Sequence, residues 1–76
     1  MRPKAIEVTP LDDFKLKIKF NNGEEKVFDV KPYLNYKAFE KIKDFKEFKL
    51  VKIDGLSIKW ECGVDICPDE LYNLSN

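Results

Sequence analysis

The chain has 76 residues, of which 43% are hydrophobic and 37% are charged, and its 14 basic and 14 acidic residues cancel. The hydrophobic content argues against a disordered chain, and zero net charge is not the balance of a typical nucleic-acid-binding protein. No apolar run approaches the roughly 18–20 residues of a membrane span, so no membrane association is expected. A chain of this length predicts a single domain, residues 1–76.

The first predicted strand covers residues 5–9, where Ile6 and Val8 alternate with polar residues. Pro10 is expected to end it, because proline cannot donate to a strand ladder. A second strand follows in which apolar residues alternate with lysines. Its apolar face carries Phe14, Leu16, Ile18 and Phe20, and its opposite face carries Lys15, Lys17 and Lys19.

The turn at residues 21–23, Asn-Asn-Gly, decides how the second strand pairs with the third. A two-residue loop would pair Ile18 with Val27 and put later apolar residues on the lysine face. A three-residue loop, with left-handed Gly23 in a bulge, pairs Leu16 with Phe28 and Phe14 with Val30. We prefer the second register, because it unites the apolar residues on one face.

A central helix is predicted after a short turn that Pro32 opens. Apolar residues with helical spacing form its inner face, and they are Ala38, Phe39, Ile42 and Phe45. An irregular turn near Asp44 is expected to let Phe48 extend this face.

The second hairpin is predicted around Asp54-Gly55, a strong signal for a two-residue turn. This turn pairs Ile53 with Leu56 and Val51 with Ile58, and Trp60 continues the apolar stripe. Residues 68–74 then predict a short helix that Pro68 opens, with its acidic residues at the positive end of the helix dipole. Leu71 and Leu74 are expected to face the core.

The predicted fold is therefore an α+β domain of order β-β-β-α-β-β-α. Its antiparallel sheet consists of two hairpins plus an N-terminal strand, and a central helix and a short C-terminal helix pack against it. No internal repeat is predicted.

Two cysteines, Cys62 and Cys67, are the chain's only thiols, and the chain has no histidine. A zinc site usually needs four cysteine or histidine ligands, and a redox pair usually has two intervening residues. We therefore expect free thiols, no bound metal and no cofactor. The chain also shows no export signal, so a reducing, cytoplasmic location is expected.

The acidic residues near the C-terminus offer a further site, either an acid/base cluster or a Mg²⁺ site. Asp69 and Glu70 are already explained by the start of the last helix. Asp65 is expected to accept backbone N–H groups in the loop after Gly63. No nucleophile or phosphate-binding loop accompanies these carboxylates, so the sequence predicts a protein that is not an enzyme.

The lysines of the first hairpin form a candidate basic face, predicted to comprise Lys15, Lys17, Lys19 and Lys26. Such a face can contact nucleic acid phosphates. No exposed aromatic residues interleave with the lysines to stack on bases. We therefore favour a solvated outer face whose charge prevents association between strands.

In the order and sequence of these segments, residues 5–73 resemble the members of a small, mostly bacterial family called Domain of Unknown Function 2442. The most specific motif lies in "WECGVDICPDELY", residues 60–72. The matching residues are Asp29, Trp60, Gly63, Asp65, Pro68, Leu71 and Tyr72, with Asp69 or Glu70 as the acidic residue. Cys62 and Cys67 are departures, since the family is not expected to require cysteine.

Some members of that family carry an added helix-turn-helix domain, and others are encoded beside another small protein. The resemblance therefore implies a regulatory accessory module with a protein partner, including an antitoxin-type role. Our leading hypothesis is a non-enzymatic, cytoplasmic protein-interaction module in which the motif residues face the partner or bond within the chain. The alternative is a nucleic-acid-binding regulator that uses the lysine face. A homodimer is compatible with the sequence.

Overall fold

Two three-stranded antiparallel sheets frame the protein in a computed structural model that describes residues 3–55 and 57–75. The first sheet has the order β1-β2-β3, and its strands are β1 (Ala5–Leu11), β2 (Lys15–Phe20) and β3 (Glu25–Asp29). The second has the order β4-β5-β6, with β4 (Val51–Asp54), β5 (Ser57–Trp60) and β6 (Asp65–Ile66). The predicted α+β class is confirmed, and the order of elements roughly matches the prediction. The strands form two sheets instead of the single predicted sheet, and β6 is an additional strand.

The first hairpin has the predicted register. Leu16 pairs with Phe28, and the Phe20 amide donates to the Glu24 carbonyl at 2.8 Å, which leaves a three-residue loop. Gly23 has φ +92° and its amide donates to the Phe20 carbonyl at 3.0 Å. The register is confirmed because the alternative would have moved Phe28, which is fully buried, to the lysine side.

The first strand departs from the prediction in two ways. It continues through Pro10, which pairs with Leu16. The missing N–H is tolerated because β1 is an edge strand of its sheet. A bulge between Ala5 and Glu7 turns Ile6 outward, so Ile6 is 43% exposed and Ala5 is buried instead.

Phe14 does not belong to the second strand, as the alternation predicted. It ends a 3₁₀ turn, Asp12–Phe14, in which Asp13 and Phe14 both have positive φ angles. The turn places the Phe14 ring against Phe45 and Phe48, with ring centroids at 5.5 and 5.0 Å. Burial of the ring against these partners offsets the backbone strain.

The predicted central helix is a series of tight turns. Two 3₁₀ segments, Lys31–Asn35 and Lys37–Lys43, precede a single α-helical turn, α1 (Phe45–Phe48). The side chain of Asp44 accepts from the Lys46 amide and caps α1, as the expected irregular turn implies. A 3₁₀ segment has a different periodicity from an α-helix. Ala38 is therefore exposed, although Ile42 and Phe48 are buried.

The second hairpin pairs two residues away from the predicted register. Ile53 pairs with Ile58, and Val51 pairs with Trp60, so the prediction for Ile53 and Val51 was wrong. The predicted partner Leu56 lies outside the described residues. A shift of two residues keeps every side chain on its face, so the alternating pattern could not detect it. Gly55 has φ +61°, which a primed two-residue turn requires at its first central position.

The last helix, α2 (Pro68–Leu74), begins at the predicted proline. Leu71 is buried as predicted, but Leu74 is 57% exposed and does not reach the core. Strands and helical turns together supply the core. Its largest fully buried side chains are Trp60, Phe20, Phe28, Phe48, Leu16, Ile18, Ile42, Ile58 and Leu71.

An internal repeat, absent from the prediction, relates the two sheets. Residues 16–23 read "LKIKFNNG" and residues 56–63 read "LSIKWECG". The turns that join β2 to β3 and β5 to β6 each have three loop residues and end in a positive-φ glycine, Gly23 or Gly63. In the β5–β6 turn, the Trp60 amide donates to the Val64 carbonyl at 2.7 Å. The segment Asp-Val/Ile-x-Pro occurs at residues 29–32, where β3 ends, and at residues 65–68, where β6 begins, and each proline lies at the start of a helical segment.

Replacing Gly63 with valine is expected to cost about 1–2 kcal/mol of unfolding free energy. Gly63 has φ +102°, which a β-branched residue rarely adopts. No atom lies within 4 Å of an added Cβ, so the cost is backbone strain and not a clash. Urea unfolding of Gly63→Val and Gly63→Asn measures it, with asparagine expected to cost less. Equal stability of the valine variant and the unchanged protein would show that this turn is unstrained.

Candidate functional site

An open cleft lies where the two Asp-Val/Ile-x-Pro segments meet. Its volume is about 640 Å³, within the roughly 300–1,000 Å³ of typical ligand pockets. Asp29 and Pro32 contribute to it from one repeat, and Asp65, Ile66 and Cys67 from the other. The internal repeat therefore builds this cleft, which we call the repeat cleft.

The floor of the repeat cleft is aromatic, with Tyr33 at its centre. Three rings surround Tyr33: Phe28 at 5.5 Å between centroids, Phe39 at 5.3 Å and Tyr36 at 6.1 Å. The Tyr36 ring stands nearly perpendicular to the Tyr33 ring, at 83°. Edge-to-face and tilted contacts of this kind hold the rings in fixed positions.

A hydrogen bond joins two residues that line the cleft. The Tyr33 hydroxyl donates to Oε2 of Glu70 at 2.8 Å. This bond joins the 3₁₀ segment Lys31–Asn35 to α2. Burial raises the pKa of Tyr33 to about 12, with further contributions from this hydrogen bond and from the charge of Glu70. The tyrosine is therefore a neutral donor at physiological pH and contributes no base to the site.

Carboxylates line the cleft around these rings: Asp29, Asp65 and Glu70. Oδ1 of Asp29 accepts from the Lys31 amide at 3.0 Å, which fixes the turn after β3. The prediction that Asp65 accepts backbone N–H groups in a loop was wrong. Asp65 lies in β6, and its carboxylate accepts no hydrogen bond from any residue that the structure describes.

Two exposed hydrophobic side chains also belong to the cleft. Tyr36 is 61% exposed and Leu74 is 57% exposed, and both line it. They are the most exposed large hydrophobic residues in the described part of the chain. Exposed apolar side chains that cluster in a concave site with a few polar groups are typical of a binding surface.

The predicted lysine face carries as many acids as lysines. Lys15, Lys17 and Lys19 share the outer face of the first sheet with their cross-strand partners Glu7, Glu25 and Asp29. Lys17 Nζ lies 3.5 Å from an oxygen of Glu25. Val27, paired with Lys17, is also exposed there. The alternating charges disfavour a phosphate-binding surface, which needs an excess of positive charge.

Lys26 was wrongly assigned to this face. It pairs with Ile18, whose side chain is fully buried, so Lys26 points to the opposite side of the sheet. Its Nζ lies 3.8 Å from the centre of the Tyr72 ring and forms a cation–π contact. The alternating pattern already contained this information, since odd and even residues of β3 face opposite ways.

Tyr72 connects α2 to the turn of the first hairpin. Its hydroxyl donates to Oε1 of Glu24 at 2.7 Å, and its ring meets the Phe20 ring edge-on at 5.1 Å. The hydrogen bond from Tyr72, followed by one from Asn22, lowers the pKa of Glu24. These contacts give Tyr72 an intramolecular role, and its partner-facing role stays a prediction.

The other motif residues occupy structural positions. Trp60 is fully buried, and its Nε1 donates to the Phe48 carbonyl at 2.8 Å. Gly63 makes the second bulged turn, Pro68 opens α2, and Leu71 is fully buried. The motif therefore contains one set of residues that holds the fold and a second set, Asp29 and Asp65, that lines the repeat cleft.

The cysteines are free thiols in the structure. Cys62 is half-buried, and Cys67 is exposed beside the cleft at the N-cap of α2. No group of three or more histidine, cysteine, aspartate or glutamate side chains within residues 3–55 and 57–75 is arranged to hold a metal ion.

Replacing Glu70 with glutamine is expected to lower the pKa of Tyr33 from about 12 toward its ordinary value. Because folding raises the pKa of Tyr33, this residue contributes to the free energy of unfolding. The contribution is complete at pH values below the ordinary tyrosine pKa of about 10, and it is lost as the pH rises through about 12. An ultraviolet titration of the phenolates measures the change, and Tyr33→Phe identifies the transition. The pKa assignment fails if Tyr33→Phe leaves the transition at about 12 in place.

In the described part of the chain, no helix has the length and apolar character needed to cross a membrane. A family model described as "Protein of unknown function (DUF2442)" matches residues 5–76. Searches of curated proteins and of solved structures each find no match.

Proposed function

Since the chain belongs to the DUF2442 family over residues 5–76, we propose that it is a non-enzymatic protein-interaction module that binds a partner through the repeat cleft. The observation that carries this proposal is the position of Tyr36 and Leu74. Both side chains are more than half exposed, and both line the same cleft. A partner that covers them removes their apolar surface from water.

The arrangement of the cleft supports binding more than catalysis. The raised pKa of Tyr33 keeps this cleft phenol neutral, and the chain contains no histidine to act as a base near neutral pH. Its rings are fixed by contacts with one another, as in a preformed recognition surface. The regulatory, antitoxin-type role and the cytoplasmic location are part of the proposal and rest on the family resemblance and the cysteines' expected reduced state.

A different protein fits the cleft better than a second copy of this chain. In a symmetric dimer, the same surface of both copies meets itself. The carboxylate-lined surface of Asp29, Asp65 and Glu70 would then meet a second carboxylate-lined surface, and like charges brought together at an interface are unfavourable.

Affinity capture from native cells with quantitative mass spectrometry tests the proposal. The baits are the unchanged protein, Leu74→Ser in the cleft, and Leu50→Ser as the control. Leu50 is 50% exposed and does not line the cleft, so the two variants remove similar exposed surface. A partner retained by the unchanged protein and Leu50→Ser but lost by Leu74→Ser supports the proposal. Equal recovery by all three baits contradicts it.

A further inference from the structure

We propose that the repeat cleft accepts an arginine side chain presented by the partner protein. This inference rests on the proposed function and specifies the chemistry of the group that enters the cleft. Three observations carry it: the charge of the lining residues, the aromatic floor, and the apolar side chains at its edge.

The charge of the cleft is negative. Asp29, Asp65 and Glu70 line it, and the described lining residues include no lysine or arginine. The nearest lysine in sequence, Lys31, directs its Nζ to Asp13 at 3.1 Å. Lys15 pairs with Asp29 across β2 and β3, and Lys59 pairs with Asp65 across β5 and β6, yet neither lysine forms an ion pair with its partner among the described residues.

Carboxylates around a cleft select against several occupants. An anionic side chain would be repelled. A purely apolar side chain would remove water from the carboxylates without replacing the lost hydrogen bonds. A cation with several donors compensates that loss, and Asp65 is the carboxylate with the most free acceptor capacity.

The aromatic floor distinguishes arginine from a simple point charge. Tyr33, Tyr36 and Phe39 present ring faces and edges within one cluster. A planar guanidinium stacks on an aromatic face and still donates to carboxylates with its edge. Tyr36 and Leu74 extend the floor to the surface, where they can cover the aliphatic part of the arginine side chain.

The test uses the full chain and two small probes, N-acetyl-arginine amide and N-acetyl-citrulline amide. Citrulline has nearly the shape of arginine but carries no charge. Amide chemical shifts in two-dimensional NMR spectra report where each probe binds and how tightly. We expect arginine-induced shifts around Tyr33, Asp65 and Glu70, and binding of the citrulline probe that is weaker by about five-fold or more.

Two variants and added salt complete the experiment. Asp65→Asn is expected to weaken binding of the arginine probe, and Asp12→Asn, at an exposed site outside the cleft, is expected to leave it unchanged. Added salt should also weaken it, because the carboxylates are exposed. Equal binding of both probes, shifts confined to another surface, or no effect of Asp65→Asn would overturn the arginine assignment.

This outcome is separable from failure of the proposed function. If the arginine probe fails but Leu74→Ser still loses the captured partner, the cleft binds a partner by other chemistry. If all three baits recover the partner equally, the cleft is not the partner site, whatever the small probes do.

Discussion

Replacing Trp60 with alanine is expected to leave little folded protein at room temperature. The side chain is fully buried and packs between the Phe39 and Phe48 rings, at 6.4 and 6.1 Å between centroids. Truncation of a buried tryptophan costs about 3–5 kcal/mol. Small domains have stabilities near the lower end of about 5–15 kcal/mol, so this loss consumes most of the total.

Trp60→Phe separates packing from hydrogen bonding. It keeps a ring in the core but leaves the Phe48 carbonyl without the donor that lies at 2.8 Å. A buried acceptor without its partner costs about 1–3 kcal/mol. Tyr36→Ala is the control, because that ring is 61% exposed, and its change should stay within about 0.5 kcal/mol. Urea unfolding measures all three, and a cost below about 1 kcal/mol for Trp60→Ala would contradict the structural role.

Variants of the repeat cleft are expected to show the opposite behaviour, with normal stability and lost binding. Tyr36→Ser and Leu74→Ser remove exposed side chains, so stability should change by no more than about 0.5 kcal/mol. If these side chains are anchors of the interface, each should cost about 2 kcal/mol or more of binding free energy, roughly 30-fold in Kd.

Isothermal titration calorimetry with the captured partner measures this loss, and Leu50→Ser again serves as the control. Circular dichroism melts of the same samples establish that each variant is folded. Unchanged affinity in both cleft variants would place the interface elsewhere. Equal loss in Leu50→Ser would show that exposed apolar area, and not its position, determines binding.

The fold could be predicted where several local signals agree. At Asn21–Gly23, the turn residues allow a two-residue or a three-residue loop, the apolar alternation of the flanking strands favours the three-residue loop, and the structure has it. At Asp54-Gly55, the alternation of apolar and polar residues could not reveal a two-residue shift in strand pairing, because the side-chain period of a strand is two. Gly55 was correctly placed in the turn, but its position within the turn decides the register.

Other differences arise from tertiary context. Ile6 and Phe14 look like strand residues, yet a bulge exposes Ile6 and a positive-φ turn sends Phe14 to the side of Phe45 and Phe48. Residues 37–43 have apolar spacing near that of an α-helix but adopt 3₁₀ geometry. A single apolar spacing does not distinguish these two helix types over so few residues.

The repeat cleft was only partly predictable. Asp29 and Asp65 stood out through the family motif, but nothing in the local sequence places them in one cleft. The signal that could have done so is the repeated Asp-Val/Ile-x-Pro segment, although it follows Gly23 by six residues in the first half and Gly63 by two in the second. Leu74 was assigned to the core from helical spacing, although a helix of this length buries only a narrow face.

Site-specific photo-crosslinking tests the central claim most directly, because it compares the two candidate surfaces in one protein. A benzophenone amino acid replaces Leu74 in the repeat cleft or Val27 on the lysine face, both exposed positions. Irradiation in native cells is followed by mass spectrometry of the adducts. If the partner binds in the repeat cleft, position 74 gives one dominant protein adduct and position 27 gives none. Adducts with protein or nucleic acid from position 27, and none from position 74, would contradict it.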